Sequence, residues 1–129
     1  MKKWTAAAIA ERLKPSAFTQ SAQEELERTR SRIEPQLIQL LHHRDAFVRE
    51  LAATILGERR NPNSIPALLK AVSDRSAHVA FDAIVAIEKC AGLKTGELVS
   101  ALWLDLSKPR SAARPLAAWW RIVRRRVLR

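Results

Sequence analysis

Three groups of residues in this 129-residue chain carry side chains that could do chemistry: the adjacent His42 and His43, the single Cys90, and a run of arginines toward the C-terminus. Adjacent residues on a helix diverge by about 100°, and no third histidine, asparagine or acid stands at ligand spacing from the His pair, so no zinc site is expected. Histidine also suits a helix C-terminus, where the dipole favours a cation. Cys90 falls on an apolar stripe and reads as packing rather than as a reactive thiol. There is no nucleophile elbow, phosphate loop or paired catalytic motif. No catalytic residue, cofactor or metal is expected, and the protein reads as non-enzymatic.

The arginines carry a different message. The formal net charge is +10, but residues 1–107 hold 15 basic against 13 acidic residues, whereas residues 108–129 hold eight basic residues and no acid. A nearly neutral body with a strongly cationic end points to a polyanionic partner surface. Arg114, Arg121, Arg124, Arg125, Arg126 and Arg129 are the candidate polyanion-binding residues, since planar guanidinium groups grip phosphates bidentately. The bland alternative is a solvated terminal helix whose cations suit the helix dipole. An anionic membrane is the less favoured partner, because the apolar stripe of this helix (Leu116, Trp120, Val123, Val127) is needed to dock on the preceding element.

Those residues have to be positioned by helices. Apolar residues make up 47% and charged residues 28%, Gly is scarce, and Ala and Leu are abundant, which favours helix and a packed core over disorder or strand alternation. One cysteine excludes an internal disulfide framework and suits a reducing, cytoplasmic setting. Glu11 and Arg12 cut the Ala6–Ala10 stretch too short for a signal peptide, and no apolar run reaches the length of a membrane span.

A repeat organises the chain. At an offset of 31, Pro35 falls on Pro66, Leu37 on Leu68, Leu41 on Val72, Val48 on Val79, Ala52 on Ala83 and Leu56 on Ile87. A further step brings Leu68 to Val99, Val72 to Trp103 and Asp74 to Asp105; after a longer loop, Ala113, Arg114, Leu116, Ala117 and Ala118 repeat the order of Val48, Arg49, Leu51, Ala52 and Ala53. Each copy reads as a first helix of about ten residues and a second of about fourteen. Pro35 and Pro66 stand in first turns, Asn61–Ser64 is a turn cluster, and Val79, Ala80, Ala83, Ile87 and Cys90 form a core face. One domain is expected, with an N-terminal helical cap (1–32), repeat 1 (33–60), repeat 2 (61–92) and repeat 3 with the basic helix (93–129). In the cap, one helix spans Trp4–Leu13 and a second starts at Ser21, with Glu24 completing a capping box. Phe18, Ala22, Leu26, Thr29 and Ile33 face inward, and Glu24, Glu25, Glu27, Arg28, Arg30 and Arg32 are solvated.

The segments PQLIQLLHHRDAFVRELAATILGE and IPALLKAVSDRSAHVAFDAIVAIE resemble the HEAT-repeat family, particularly the short bacterial HEAT-like type also found in phycobilin lyase subunits. The resemblance implies an all-α fold, an α-α superhelix of about three helix pairs behind the cap. Family members carry an Asp ending the first helix and a Val-Arg pair opening the second. Here copy one keeps Val48 and Arg49 but has His43 for the Asp; copy two keeps Asp74 and Val79 but has Ala80 for the Arg; copy three has Asp105 and Arg114. These complementary losses place Asp74 against Arg49. The resemblance also implies that the second helices line the concave surface. On that surface Glu50 and Thr54 of copy one give way to Phe81 and Val85, then to Pro115 and Trp119. Phe81, Val85 and Trp119 are therefore the candidate partner-binding residues, unless the cap or the loop Ser107–Ser111 covers them. Arg121 stands where Leu56 and Ile87 are core, so a further repeat is not expected to stack there. The expected function is a non-enzymatic adaptor or assembly subunit with a protein partner; a nucleic-acid or ribonucleoprotein binding protein is the alternative. Oligomeric state is not legible.

Overall fold

A computed structural model describes residues 4–128. These form eight α-helices and no strand: α1 (Ala6–Leu13), α2 (Gln20–Arg28), α3 (Glu34–Leu40), α4 (Ala46–Arg59), α5 (Ile65–Ala71), α6 (Ala77–Cys90), α7 (Glu97–Ala101) and α8 (Ala113–Val127), with short 3₁₀ turns at Pro62–Ser64 and Pro109–Ala112. The all-α helical-pair architecture read from the repeat is the one observed.

Local chemistry explains most boundaries. Thr5 caps α1 by accepting the Ala8 N–H at 3.0 Å, and the helix stops at Lys14, held extended by the following Pro15. Thr19, not Ser21, caps α2: it is extended, and its hydroxyl accepts the Ala22 N–H at 3.0 Å, so the helix begins at Gln20 and Ser21 lies inside it. Of the inward set in this segment, Leu26 and Ile33 are fully buried, while Phe18, Ala22 and Thr29 are half-buried. Nor are the cap acids all simply solvated, since Glu25 pairs with Arg12 and Glu27 accepts from Gln23. Pro35 and Pro66 occupy the first turns of α3 and α5. These first helices hold seven residues each and α7 five, fewer than the expected ten.

The turn that ends each first helix is built by one device repeated with the 31-residue period. His43 Nδ1 accepts the Asp45 N–H at 3.0 Å, Asp74 Oδ1 accepts the Ser76 N–H at 2.8 Å, and Asp105 Oδ1 accepts the Ser107 N–H at 2.9 Å. A side-chain acceptor two residues before a free N–H mimics a backbone turn, and an imidazole nitrogen serves as well as a carboxylate. That is why a histidine stands at an aspartate position in the first copy.

Stacking follows the repeat through α6 and then departs from it. The α4–α6 contact is the most extensive between helices, α1 packs on α3, and α2 packs on α4, so the cap sits where a preceding pair would. Gly57 makes the α4–α6 approach close: a methyl group there would stand 2.8 Å from the Ala86 Cα. Arg49, one of the few buried charged residues, donates from Nε and Nη2 to both oxygens of Asp74 at 2.9 and 3.1 Å, as the complementary losses implied. Its Nη1 also donates to the carbonyls of His43 and Arg44.

In the second copy the position of Gly57 is taken by Glu88. This buried carboxylate accepts the N–H groups of Gly96, Leu98 and Val99, the first turn of α7, where the helix dipole favours a negative charge. The next helix cannot approach α6 as α6 approaches α4. The Pro109–Ala112 turn meets α6 instead, and α8 takes α5 as its main helix neighbour. Trp103, aligned with the buried Val72, is 92% exposed rather than core. It sits at φ 55°, donating to the Ser100 carbonyl while Leu104 donates to Val99. This is a left-handed helix end of the kind usually built on glycine, as at Gly92, and it turns the indole outward.

Candidate functional site

The exposed faces of α4 and α6 lie side by side because the two helices stack. On α4 this surface carries Glu50 and Thr54, both half-buried; on α6 it carries Phe81, Val85 and Asp82. Phe81 and Val85 are one turn apart, and Phe81 is 41% exposed although the Pro109–Ala112 turn packs against the same helix. The described part of the cap packs mainly on α3 and α4, where its Phe18 ring stands edge-on to Phe47 at 5.5 Å. Trp119, grouped with Phe81 and Val85 by register, lies on α8, half-buried with its ring 6.0 Å from Trp120. Its helix packs mainly on α5 rather than within the α4–α6 stack.

The electrostatics of this surface are acidic. Burial, and then the charge of Glu50 across the helix pair, push the Asp82 carboxyl up to about 6, with His78 opposing the shift. Two carboxylates thus share the surface beside Phe81, and neither takes part in an ion pair with a described residue.

The other candidates resolve one by one. Cys90 is buried, and its Sγ lies 3.4 Å from the Leu56 carbonyl; burial pushes its thiol up to about 12, so it packs rather than reacts. His43 uses Nδ1 within its turn, and no cluster of three metal-ligating side chains occurs among the described residues. Arg114, Arg121, Arg124, Arg125 and Arg126 are all exposed on α8, and none forms an ion pair with a described residue. Arg129 lies outside the described residues. The α8 stripe is docked: Leu116 and Trp120 are buried, and Val123 and Val127 pack partly against the core. No helix among the described residues is long and apolar enough to cross a membrane.

Three residues with clear roles are not visible from residue type alone. Arg59 is half-buried at the junction of cap and repeat, donating to both Glu34 oxygens and to the carbonyls of Leu26, Thr29 and Ser31. Glu88 anchors α7. Ile122 is 80% exposed among the α8 arginines; its signal was available, because continuing the alignment of Ala118 with Ala53 puts Ile122 on Gly57.

Compared with known proteins, residues 34–117 match the family model for HEAT repeats. Neither the curated proteins nor the solved structures give a match. The matched span opens with the first residue of α3, takes in both stacked pairs and ends within α8, and with its 31-residue period and Arg49–Asp74 pairing between neighbouring copies the chain belongs to the HEAT-repeat family.

Proposed function

We propose that the protein is a non-enzymatic binding module of the cytoplasm, an adaptor or assembly subunit that holds a protein partner on the surface formed by α4 and α6. HEAT repeats generally mediate protein–protein interactions, and the single observation that carries the reading is Phe81. A phenylalanine 41% exposed on the very face where the preceding copy has a glutamate is an apolar contact that folding alone does not require. Phe81→Glu is expected to abolish capture of the partner in pull-down from native lysate while changing stability by less than about 0.5 kcal/mol. A loss of stability matching that of a core substitution would place the ring in the core and end the proposal.

The nucleic-acid reading keeps one observation in its favour, the five exposed α8 arginines without acidic partners. Phosphate contacts release counterions, so affinity for an oligonucleotide should fall with a logarithmic salt slope of about 0.7–0.9 per contact. Changing Arg121, Arg124, Arg125 and Arg126 to Gln should flatten that slope with folding intact. Partner capture that persists at high salt and survives the same changes would favour the α4–α6 surface.

A further inference from the structure

The arginines of α8 flank an apolar lane. Pro115, Ala118, Trp119 and Ile122 stand at i, i+3, i+4 and i+7, the spacing of a helix face that packs on another helix. The lane is distinct from the docked stripe: at about 100° per residue it lies roughly 100–120° around the helix from Leu116, Trp120 and Val123. Ala118 is exposed, Pro115 and Trp119 are half-buried, and Ile122 is 80% exposed.

The repeat register gives this lane a meaning. Its four residues align with Glu50, Ala53, Thr54 and Gly57 of α4. That is the side of α4 on which α6 lies, with Gly57 against Ala86. In α4 Ala53 and Gly57 of this face are buried, with Gly57 against α6, and Glu50 and Thr54 are half-buried at its edge; in α8 Ala118 and Ile122 are exposed and Trp119 packs partly on the core. The rim of the lane also differs. Arg121 stands where Leu56 is buried, and Arg121 and Arg125 border the lane along one side without an acidic partner among the described residues. An apolar helix face with a cationic rim is complementary to a helix with an apolar face and a carboxylate rim.

We propose that α8 is a second docking surface, taking an acidic amphipathic helix of a protein partner in the position that α6 holds on α4. A phosphate backbone has use for Arg121 and Arg125 but none for the exposed isoleucine beside them. A second copy of the chain is a poor occupant, because its own first 32 residues carry seven basic against four acidic residues. The proposal is independent of the Phe81 surface.

The test uses the full chain and a labelled, stapled peptide of the α6 sequence Ala77–Cys90, with His78→Glu and Lys89→Glu for an acidic rim and Cys90→Ser to remove the thiol. A twin peptide carries lysine at the two rim positions. Fluorescence anisotropy at about 50 mM salt, where exposed charges are weakly screened, should show saturable binding of the acidic peptide and little of the twin. Ile122→Asp should weaken it by about tenfold or more, with an unchanged thermal midpoint because the side chain is exposed. Arg121→Glu with Arg125→Glu should transfer the preference to the lysine twin, and Phe81→Glu should leave binding intact. The proposal is overturned if the acidic peptide does not bind, if both peptides bind alike, or if Ile122→Asp has no effect. It is equally overturned if a polythymidine oligonucleotide or phosphatidylserine vesicles titrate α8 while the acidic peptide does not.

Discussion

Arg49→Ala is expected to destabilise the protein by about 3–5 kcal/mol, the cost of removing one partner from a buried ion pair. The side chains of Arg49 and Asp74 are only 5% and 11% exposed. Truncation leaves the Asp74 carboxylate without its guanidinium and the His43 and Arg44 carbonyls without a donor. Asp74→Ala should lose a similar amount, and the double variant less than the sum, because the second substitution removes the charge stranded by the first. Arg49→Lys should not restore stability, since an ammonium cannot span both carboxylate oxygens and two carbonyls. Urea denaturation of the four variants measures this. A loss below about 1 kcal/mol for Arg49→Ala would mean that the pair behaves as a solvated surface bridge.

Arg59→Ala should cost about as much, on the order of 3–5 kcal/mol, but its effect is directed at the N-terminal cap. Three of its acceptors are carbonyls at or beyond the end of α2, and its carboxylate partner Glu34 opens α3. Amide exchange in α1 and α2 should therefore accelerate more than in α6. The pH dependence should change as well. Burial raises the Glu34 carboxyl, but hydrogen bonding from Arg59, backbone N–H groups at Glu34 and Ile33, and the Arg59 charge more than offset this, leaving it below its ordinary value of 4.5. A folded-state value below the unfolded one means that the unfolded chain binds more protons, so this stability is present above about 4.5 and is lost as pH falls through the folded value. Removing Arg59 should flatten that acid limb. An unchanged acid limb, or uniform loss of protection across α1–α6, would show that Arg59 does not anchor the cap.

The two pairs differ in how visible they are in sequence. Arg49 and Asp74 could be matched because repetition supplies a comparison: each copy lacks the member that the neighbouring copy retains. Arg59 has no such counterpart, because the next copy has Cys90 in its place, and its principal acceptors are main-chain carbonyls that no residue type announces. Core faces such as Val79, Ala83 and Ile87 were readable from helical spacing, since burial there depends on the helix pair alone. The third copy departs from the repeat where burial depends on what stacks next. Alignment sets Trp103 on the buried Val72, but Glu88 holds the start of α7 and the left-handed turn after that helix carries the indole outward. At the candidate surfaces, the exposed position of Phe81 followed from comparing copies. The packing of the Trp119 helix on α5 did not, because register predicts the face of a helix and not the neighbour that helix chooses.

Gly57 and Glu88 occupy the same position in successive copies, one open to a neighbouring backbone and the other closed by a carboxylate. Growth of such a protein by internal duplication is therefore unequal along its length. Tandem copying of the unit that carries Gly57 would place each new α6-like helix on a surface already shaped to receive it. Copying the unit that carries Glu88 would set a buried acid against the incoming helix, and the added pair would lack a seat until that one residue reverted to glycine. A single residue thus decides on which side of the pair another helix can be received.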